Sequence, residues 1–109
     1  MSYLLNGVEL ETDEDGYLVE PNFSDEICQV IADAEGIQLT EDHRKVIAYL
    51  RDQFREHGHT PNFRAMLKDA GQFLPGADSK ALYDLFPGGP AKQGAKIAGL
   101  TKPFGKGGY

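Results

Sequence analysis

Few side chains in this sequence have the chemistry for nucleophilic catalysis or for binding a metal. Cys28 is the single cysteine among the 109 residues, which excludes a disulfide within the chain and a metal site built from several cysteines. Asp25 and Glu26 stand just before it, and nearby carboxylates raise the pKa of a thiol. We therefore predict that Cys28 is a small, half-buried structural residue.

The three histidines give a weak indication of a metal site. His57 and His59 are separated by one residue at the expected end of a helix, but the sequence places no third ligand beside them. A histidine in the last turn complements the helix dipole, and we favour that interpretation of His57. No glycine-rich phosphate-binding motif is present. The sequence therefore predicts no metal and no cofactor, and it favours a binding domain over an enzyme.

Length and composition indicate one globular domain. Seventeen acidic and eleven basic side chains give a formal charge of -6, and 40% of the residues are hydrophobic. No apolar run approaches the roughly 20 residues that span a bilayer. The first residues lack the basic start and the cleavage site of a signal peptide. We expect a cytoplasmic protein that does not contact membranes.

The charges are divided unevenly along the chain. Residues 1–43 contain twelve acidic side chains and no lysine or arginine, whereas residues 86–109 contain four lysines and no acid. A basic segment in an acidic protein favours an anionic partner, either nucleic acid or an acidic protein groove. Alternatively, the basic segment lies along the acidic half of its own chain. The sequence does not decide between these interpretations.

Local sequence signals predict a β-hairpin followed by five helices. Asn6-Gly7 between two apolar segments is typical of a two-residue hairpin turn. Seven of the thirteen glycines lie between residues 88 and 109, so the chain end is predicted to be a flexible arm. The first two helices are predicted between Ser24 and Gly36 and between Thr40 and Gly58. The third begins at Thr60-Pro61, turns Phe63, Met66 and Leu67 inward, and is followed by a loop that starts at Gly71. The fourth begins at Asp78 or Ser79, and the fifth runs from Pro90 to Ala98.

The strongest motif is the segment 82–93, LYDLFPGGPAKQ, followed by AKIAGL at 95–100 and Lys102-Pro103. It resembles the C-terminal signature of the DsrC/TusE sulfur-relay family, LYxLFPxGPAKQ…AGLPKP. The segments 15–18, DGYL, and 39–43, LTEDH, are also similar to the family pattern. The resemblance covers nearly the whole chain. It implies a mainly α fold: a small orthogonal bundle of about five helices with an N-terminal β-hairpin in residues 1–98, and a flexible C-terminal arm in residues 99–109.

The resemblance also implies a mechanism whose cysteines this chain lacks. In the family, a penultimate arm cysteine accepts persulfide sulfur, and DsrC-type members have a second cysteine earlier in the chain. The corresponding positions here are Lys106 and Ala95, so no catalytic residue is predicted. This points to a non-catalytic partner-binding or regulatory protein of sulfur metabolism. The alternative is a subunit that still takes part in sulfur transfer, as in tRNA thiolation or with dissimilatory sulfite reductase.

The expected partners are therefore a sulfurtransferase complex or sulfite reductase subunits, and DNA is a second option through a helix-turn-helix-like pair of helices. In a third interpretation the arm is a decoy that blocks a partner's cleft. The predicted partner-binding residues are Tyr83, Phe86, Pro87, Pro90, Lys92, Gln93, Lys96 and Lys102. The predicted contacts to DNA phosphates are Arg64, Lys68, Lys80, Lys92 and Lys96.

Overall fold

The chain begins with the predicted hairpin, as shown by a computed structural model that describes residues 2–103. Strands β1 (Ser2–Leu5) and β2 (Val8–Glu11) are antiparallel, with Leu5 opposite Val8. Asn6 and Gly7 have φ values of 51° and 81°. Both values are left-handed, as a type I′ turn requires, and asparagine and glycine adopt them at the lowest cost. The Asn-Gly signal predicted this turn correctly.

Five helices follow in the described part of the chain, and four of them begin with a side-chain cap. The caps are Ser24, Thr40, Asn62 and Asp78, each of which accepts a hydrogen bond from a backbone N–H three residues later. The mainly helical fold with an N-terminal hairpin is therefore confirmed. The helices are α1 (Asp25–Glu35), α2 (Glu41–His57), α3 (Phe63–Phe73), α4 (Ser79–Leu85) and α5 (Pro90–Ile97).

The predicted limits of α3 are wrong at both ends. The helix begins after Asn62, not at Thr60-Pro61, because the Asn62 side chain accepts the N–H of Ala65 at 2.9 Å. The helix also continues through Gly71 to Phe73, where a loop was predicted. Asparagine is a stronger cap than threonine, and the Asn62 side chain makes the cap hydrogen bond in place of Thr60.

The buried face of α3 also differs from the prediction. Met66 and Ala70 are buried, whereas Leu67 is 37% exposed. Helical periodicity brings residues 66 and 70 onto one face, one turn apart. Leu67 is therefore part of the surface next to Phe63, not of the core.

Helix α5 is the element on which the other helices converge, since it packs against α1, α2, α3 and α4. Its approach to α2 is close: a Cβ added at Gly94 would lie 2.9 Å from Leu50 Cδ1. Beyond the helix, Gly99 and Leu100, which were predicted to belong to the arm, are buried against the domain. The packed body therefore extends to residue 100.

The remainder of the predicted arm is only partly described. Thr101, Lys102 and Pro103 lie at the surface or half-buried, and residues 104–109, including Lys106, lie outside the described residues. The flexibility of the arm stays a prediction. Within residues 2–103, no helix combines the length and the apolar character needed to cross a membrane.

Candidate partner-binding cleft

A cleft of about 440 Å³ lies where the motif segment meets the acidic N-terminal half of the chain. Its walls come from the turn after β2, the end of α1, the start of α5 and the chain that follows α5. The cleft therefore joins the acidic and basic parts of the sequence. The lining residues are Asp15, Tyr17, Glu35, Gly88, Lys92, Gln93, Lys96, Lys102 and Pro103.

Gln93 fixes the wall formed by the motif. Its Oε1 accepts the N–H of Gly88 at 2.9 Å, and its Nε2 donates to Glu35 Oε1 at 3.0 Å. The first bond closes the loop before α5, in which Gly89 has a φ of 112° and Pro90 occupies the first helical turn. The second bond ties that loop to α1. Both polar ends of the amide are satisfied, so the wall is set before any partner binds.

Lys96 and Tyr17 form the floor of the cleft. Lys96 Nζ lies 3.6 Å from Glu35 Oε1 and 5.2 Å from the centroid of the Tyr17 ring. The Tyr17 hydroxyl donates to the carbonyl of Lys92 at 3.1 Å. Burial, together with the nearby carboxylates of Asp15 and others, raises the pKa of Tyr17 to about 12. Its phenol therefore remains a hydrogen-bond donor at neutral pH.

Lys102 closes one side of the cleft by pairing with Asp15. The hydrogen bond and charge of Lys102 lower the pKa of Asp15, and the same contact raises the pKa of Lys102. Lys96 and Lys102 thus both pair with acids of the N-terminal half. This arrangement agrees with the interpretation that the basic segment lies along its own chain. Lys92 is exposed and forms no ion pair within residues 2–103.

The predicted partner-binding residues divide into surface and core groups. Phe86 and Pro90 are fully buried, and Phe86 packs edge-to-face on His43 with ring centroids 5.0 Å apart. Their side chains therefore shape the motif from inside and are not available to a partner. Tyr83 is 44% exposed, but it packs on Phe63, away from the residues that line the cleft. The residues that remain at the surface are Tyr83, Pro87, Lys92, Gln93, Lys96 and Lys102.

The single thiol lies in the core. Cys28 is 1% exposed, more buried than the half-buried position predicted from its helix register. Burial is the main cause that raises the pKa of Cys28, and Asp25 adds to it, whereas Arg51 opposes it. Glu26 is not among the groups responsible, although it is adjacent in sequence. Cys28 is therefore a neutral thiol at neutral pH. Ala95, the other position of interest for sulfur chemistry, is fully buried too.

Arg51 is a buried charged residue that the sequence reasoning missed. Its Nε donates to the carbonyl of Ala98 at 2.9 Å, and its Nη2 donates to the carbonyl of Ser24 at 2.7 Å and lies 3.0 Å from Cys28 Sγ. A signal was present in the sequence. Arg51 follows Ile47 by one helical turn on the apolar face of α2, where a solvated arginine would not be placed.

The five predicted phosphate contacts lie on three different helices. Arg64 and Lys68 are exposed on α3, and Lys80 on α4 pairs with Asp84 at 3.0 Å. Lys92 and Lys96 lie on α5, and the charge of Lys96 is matched by an acid of the cleft. Carboxylates thus neutralise part of the surface that was expected to face DNA.

The histidine pair does not form part of a metal site in the described structure. The rings of His57 and His59 lie 6.2 Å apart, centroid to centroid. Within residues 2–103, no three histidine, cysteine or acidic side chains are grouped so that they could hold a metal ion. His43 is instead part of a helix cap: its Nδ1 accepts the Thr40 N–H, and its Nε2 donates to the Leu85 carbonyl at 2.8 Å.

Comparisons with known proteins agree on one family. The model of the family described as "DsrC like protein" matches residues 4–105. The curated protein "Sulfurtransferase TusE homolog" of Haemophilus influenzae is 44% identical over 103 residues, which cover 91% of this chain and 94% of that protein. These matches extend over almost the entire length of both chains.

Two solved structures share the fold. The oxidized gamma-subunit of the dissimilatory sulfite reductase (DsrC) from Archaeoglobus fulgidus has a TM-score of 0.87 and 36% identity, and the match covers 96% of this chain and 98% of that one. DsrC of Allochromatium vinosum has a TM-score of 0.86 and 36% identity, with coverage of 95% and 96%. The predicted helix-turn-helix and DNA binding find no support in these relatives. This chain belongs to the DsrC/TusE sulfur-relay family.

Proposed function

We propose that this protein takes part in sulfur transfer as a docking component, which binds a sulfurtransferase complex or sulfite reductase subunits and carries no sulfur on its arm. One observation supports this proposal above the others. The polar side chains of the family motif frame an open cleft, whereas the only thiol of the chain is 1% exposed and does not line that cleft. Side chains that can recognise a partner are therefore accessible, and the one side chain that could carry sulfur is not.

The chemistry of the cleft suits an extended segment of a partner protein. Lys92 offers an exposed cation that pairs with no carboxylate of the described residues, 2–103, and a partner carboxylate or backbone carbonyl can approach it at little desolvation cost. Glu35 and Asp15 supply acceptors for a partner's basic or amide groups, although both are already engaged by lysines. Polar groups of both signs around one opening give a partner specificity of orientation more than affinity.

The names of two relatives support the proposed classes of partner. The Haemophilus protein is named as a sulfurtransferase homolog and the Archaeoglobus protein as a subunit of dissimilatory sulfite reductase. A chain with the same fold and the same motif is expected to bind proteins of these two classes. The regulatory interpretation predicts the same contacts without a contribution to sulfur flow.

Binding to candidate partners tests the docking proposal. The full chain is titrated into purified sulfurtransferase and sulfite reductase subunits from the same organism, by calorimetry at low and at physiological salt. Lys92→Ala is expected to weaken binding about tenfold, because it removes an accessible charge at the mouth of the cleft. Lys68→Ala is the matched control, since Lys68 is an exposed lysine on α3, outside the motif and outside the residues that line the cleft. Equal affinities of both variants and the wild type would exclude the cleft as the docking site.

Removal of residues 104–109 tests the contribution of the arm. If the arm is a decoy that enters a partner's cleft, truncation abolishes binding while Lys92→Ala only weakens it. If the cleft alone makes the contact, the truncated chain binds as well as the full chain. The two results separate the docking and decoy interpretations.

A second candidate function is sulfur carriage on Cys28 itself, and one contact favours it. The Arg51 guanidinium 3.0 Å from Sγ would stabilise the anion of a persulfide, which is more acidic than a thiol. In the transfer, the outer sulfur of a donor persulfide moves to the Cys28 sulfur, and the donor leaves as a thiol. Intact mass after incubation with a persulfide donor decides this: a gain of about 32 Da that is absent in Cys28→Ser supports carriage. If the mass is unchanged, docking remains the only proposed role.

A further inference from the structure

We infer that Arg51 is a positioning residue for the arm, because it locks residues 98–100, here called the arm root, against α1 and α2. The lock fixes the direction in which residues 101–103 continue from the domain. The functional part of this inference rests on the proposed docking role. The lock itself concerns only contacts within this chain, so it is tested without a partner.

The Arg51 guanidinium joins three segments of the chain. Nε donates to the carbonyl of Ala98 at 2.9 Å, where α5 ends, and Nη2 donates to the carbonyl of Ser24 at 2.7 Å, where α1 begins. Nη1 lies 3.5 Å from the Asp25 carboxylate. The Arg51 side chain is 8% exposed. One planar group therefore holds the end of α5 to the start of α1 from within α2.

A second contact holds the arm root from the other side. The backbone N–H of Asn22 donates to the carbonyl of Gly99 at 2.8 Å. Gly99 has a φ of 78°, and a Cβ at this position would lie 2.2 Å from the Asn22 carbonyl oxygen. Only glycine therefore fits between α5 and the segment before α1. Leu100, the next residue, is fully buried, and its N–H donates to the Ala95 carbonyl at 3.1 Å.

Fold stability alone does not account for a charged residue at this position. Burying a guanidinium has a desolvation cost, and replacing a buried ion network by apolar side chains is often neutral or stabilising. Around Arg51 the buried face of α2 is mainly apolar, with Val46, Ile47 and Leu50, and the polar atoms of the other two buried residues, His43 and Tyr49, are hydrogen-bonded. What arginine provides and an apolar residue cannot is directional: its fixed fork reaches acceptors in separate segments.

The lock sets where the last described residues lie. Residues 98–100 are held by Arg51, by Asn22 and by the burial of Leu100, and Lys102 then pairs with Asp15 at the surface. The direction set at Leu100 therefore brings Lys102 and Pro103 to the wall of the proposed docking cleft.

Hydrogen exchange on the full chain tests the lock. The amides of Gly99 and Leu100 report on the arm root, and those of Met66 and Ala70 in α3 report on global unfolding. In Arg51→Met, exchange at the arm root is expected to be at least about tenfold faster, with α3 unchanged within about twofold. Arg51→Lys is expected to restore part of the protection, since lysine can reach one acceptor but not all three.

Arg44→Met is the matched control. Arg44 lies two turns earlier on α2, is exposed, and contacts neither the arm root nor Phe23. It should leave the arm root unchanged. A uniform acceleration in α3 and the arm root would show that Arg51 acts on general stability only, and no acceleration would show that it holds nothing. If Arg51→Met does not fold, Arg51→Lys is compared with the wild type instead, by the ratio of the exchange rate at the arm root to that in α3.

Partner binding then links the lock to docking. If Arg51 acts through the arm, Arg51→Met weakens binding of the full chain and has no effect on a chain that lacks residues 104–109. An equal effect in both chains would overturn the positioning role. If the wild type binds no candidate partner, the docking function fails while the exchange result for the lock still stands.

Discussion

The two faces of α5 differ in almost every physical respect. On one face, Lys92, Gln93 and Lys96 line an open cleft, and their polar groups meet solvent or acidic side chains. On the other face, Ala91 and Ala98 are buried, and the polar group that reaches the Ala98 carbonyl is the buried guanidinium of Arg51. One short helix therefore separates a surface suited to recognition from a sealed interior. The only thiol of the chain lies on the sealed side.

The largest effect is expected where the family motif enters the core. Phe86→Ala should lower the free energy of unfolding by about 3–5 kcal/mol, because it removes a fully buried ring and leaves a cavity beside His43. Tyr83→Ala, three residues earlier, should cost less than about 1.5 kcal/mol, since Tyr83 is 44% exposed and loses mainly its contact with Phe63. Urea denaturation of both variants measures the difference. Similar losses would contradict the division of the motif into core and surface residues.

A comparison of two glycines tests how tightly the arm root is packed. Gly99 and Gly58 have φ values of 78° and 79°, but only at Gly99 would a Cβ strike another segment. Gly58→Ala should cost about 1–2 kcal/mol for the left-handed backbone alone. Gly99→Ala should cost about 1–3 kcal/mol more, because the chain must move away from the Asn22 carbonyl. Thermal or urea unfolding gives both losses in the free energy of unfolding. Equal losses would mean that the arm root accommodates the added methyl group and is not tightly packed.

Alkaline pH should destabilise the packing on both faces of α5. Burial raises the pKa of Tyr17 in the cleft to about 12 and also raises the pKa of Cys28 on the sealed side. Above the pKa values of the unfolded chain, the unfolded state releases these protons and the folded state keeps them. The free energy of unfolding therefore falls as pH rises, by about 1.4 kcal/mol per pH unit and group.

Substitutions assign parts of this alkaline loss to each group. Cys28→Ala should remove the part that begins near the ordinary pKa of a thiol. Tyr17→Phe should reduce the part that begins about one unit higher, near that of a phenol, and Tyr49 and Tyr3, whose pKa values are also raised by burial, account for the remainder. Denaturant unfolding between pH 7 and pH 11 measures both. If either variant keeps the wild-type slope, the group it removes is not shielded in the folded state.

Local signals predicted the elements of this fold but not the site between them. The Asn6-Gly7 turn and the caps Ser24, Thr40 and Asp78 are determined by hydrogen bonds over a few residues, so a single sequence shows them. The family motif also led directly to Lys92 and Gln93. The opposite wall of the cleft, Asp15, Tyr17 and Glu35, comes from more than fifty residues away, and no periodicity or spacing predicts that contact.

The sequence also did not show which residues of the motif are buried, for a different reason. The motif names residues that a family shares, and it does not separate those that pack from those that bind. Phe86 was therefore predicted to contact a partner, although its ring is in the core. Arg51 was missed although a charged residue on the apolar face of a helix was an informative signal. Its three acceptors become adjacent only in the folded chain, so the sequence could not show them.

The smallest effect is expected on the cleft-facing side of α5, from Lys96→Gln. The ion pair of Lys96 with Glu35 has a separation of 3.6 Å, and the two side chains are 18% and 24% exposed. A partly solvated pair of this kind is worth about 0.2–1 kcal/mol and weakens with salt. Urea unfolding at low and high ionic strength should therefore show a small loss that salt reduces further. Glu35 keeps its hydrogen bond from Gln93, so the wall of the cleft is expected to persist. A loss as large as that of Gly99→Ala would show that the lysines of the cleft hold the domain together and that the cleft is not an open surface, which would remove the contrast between the two faces of α5.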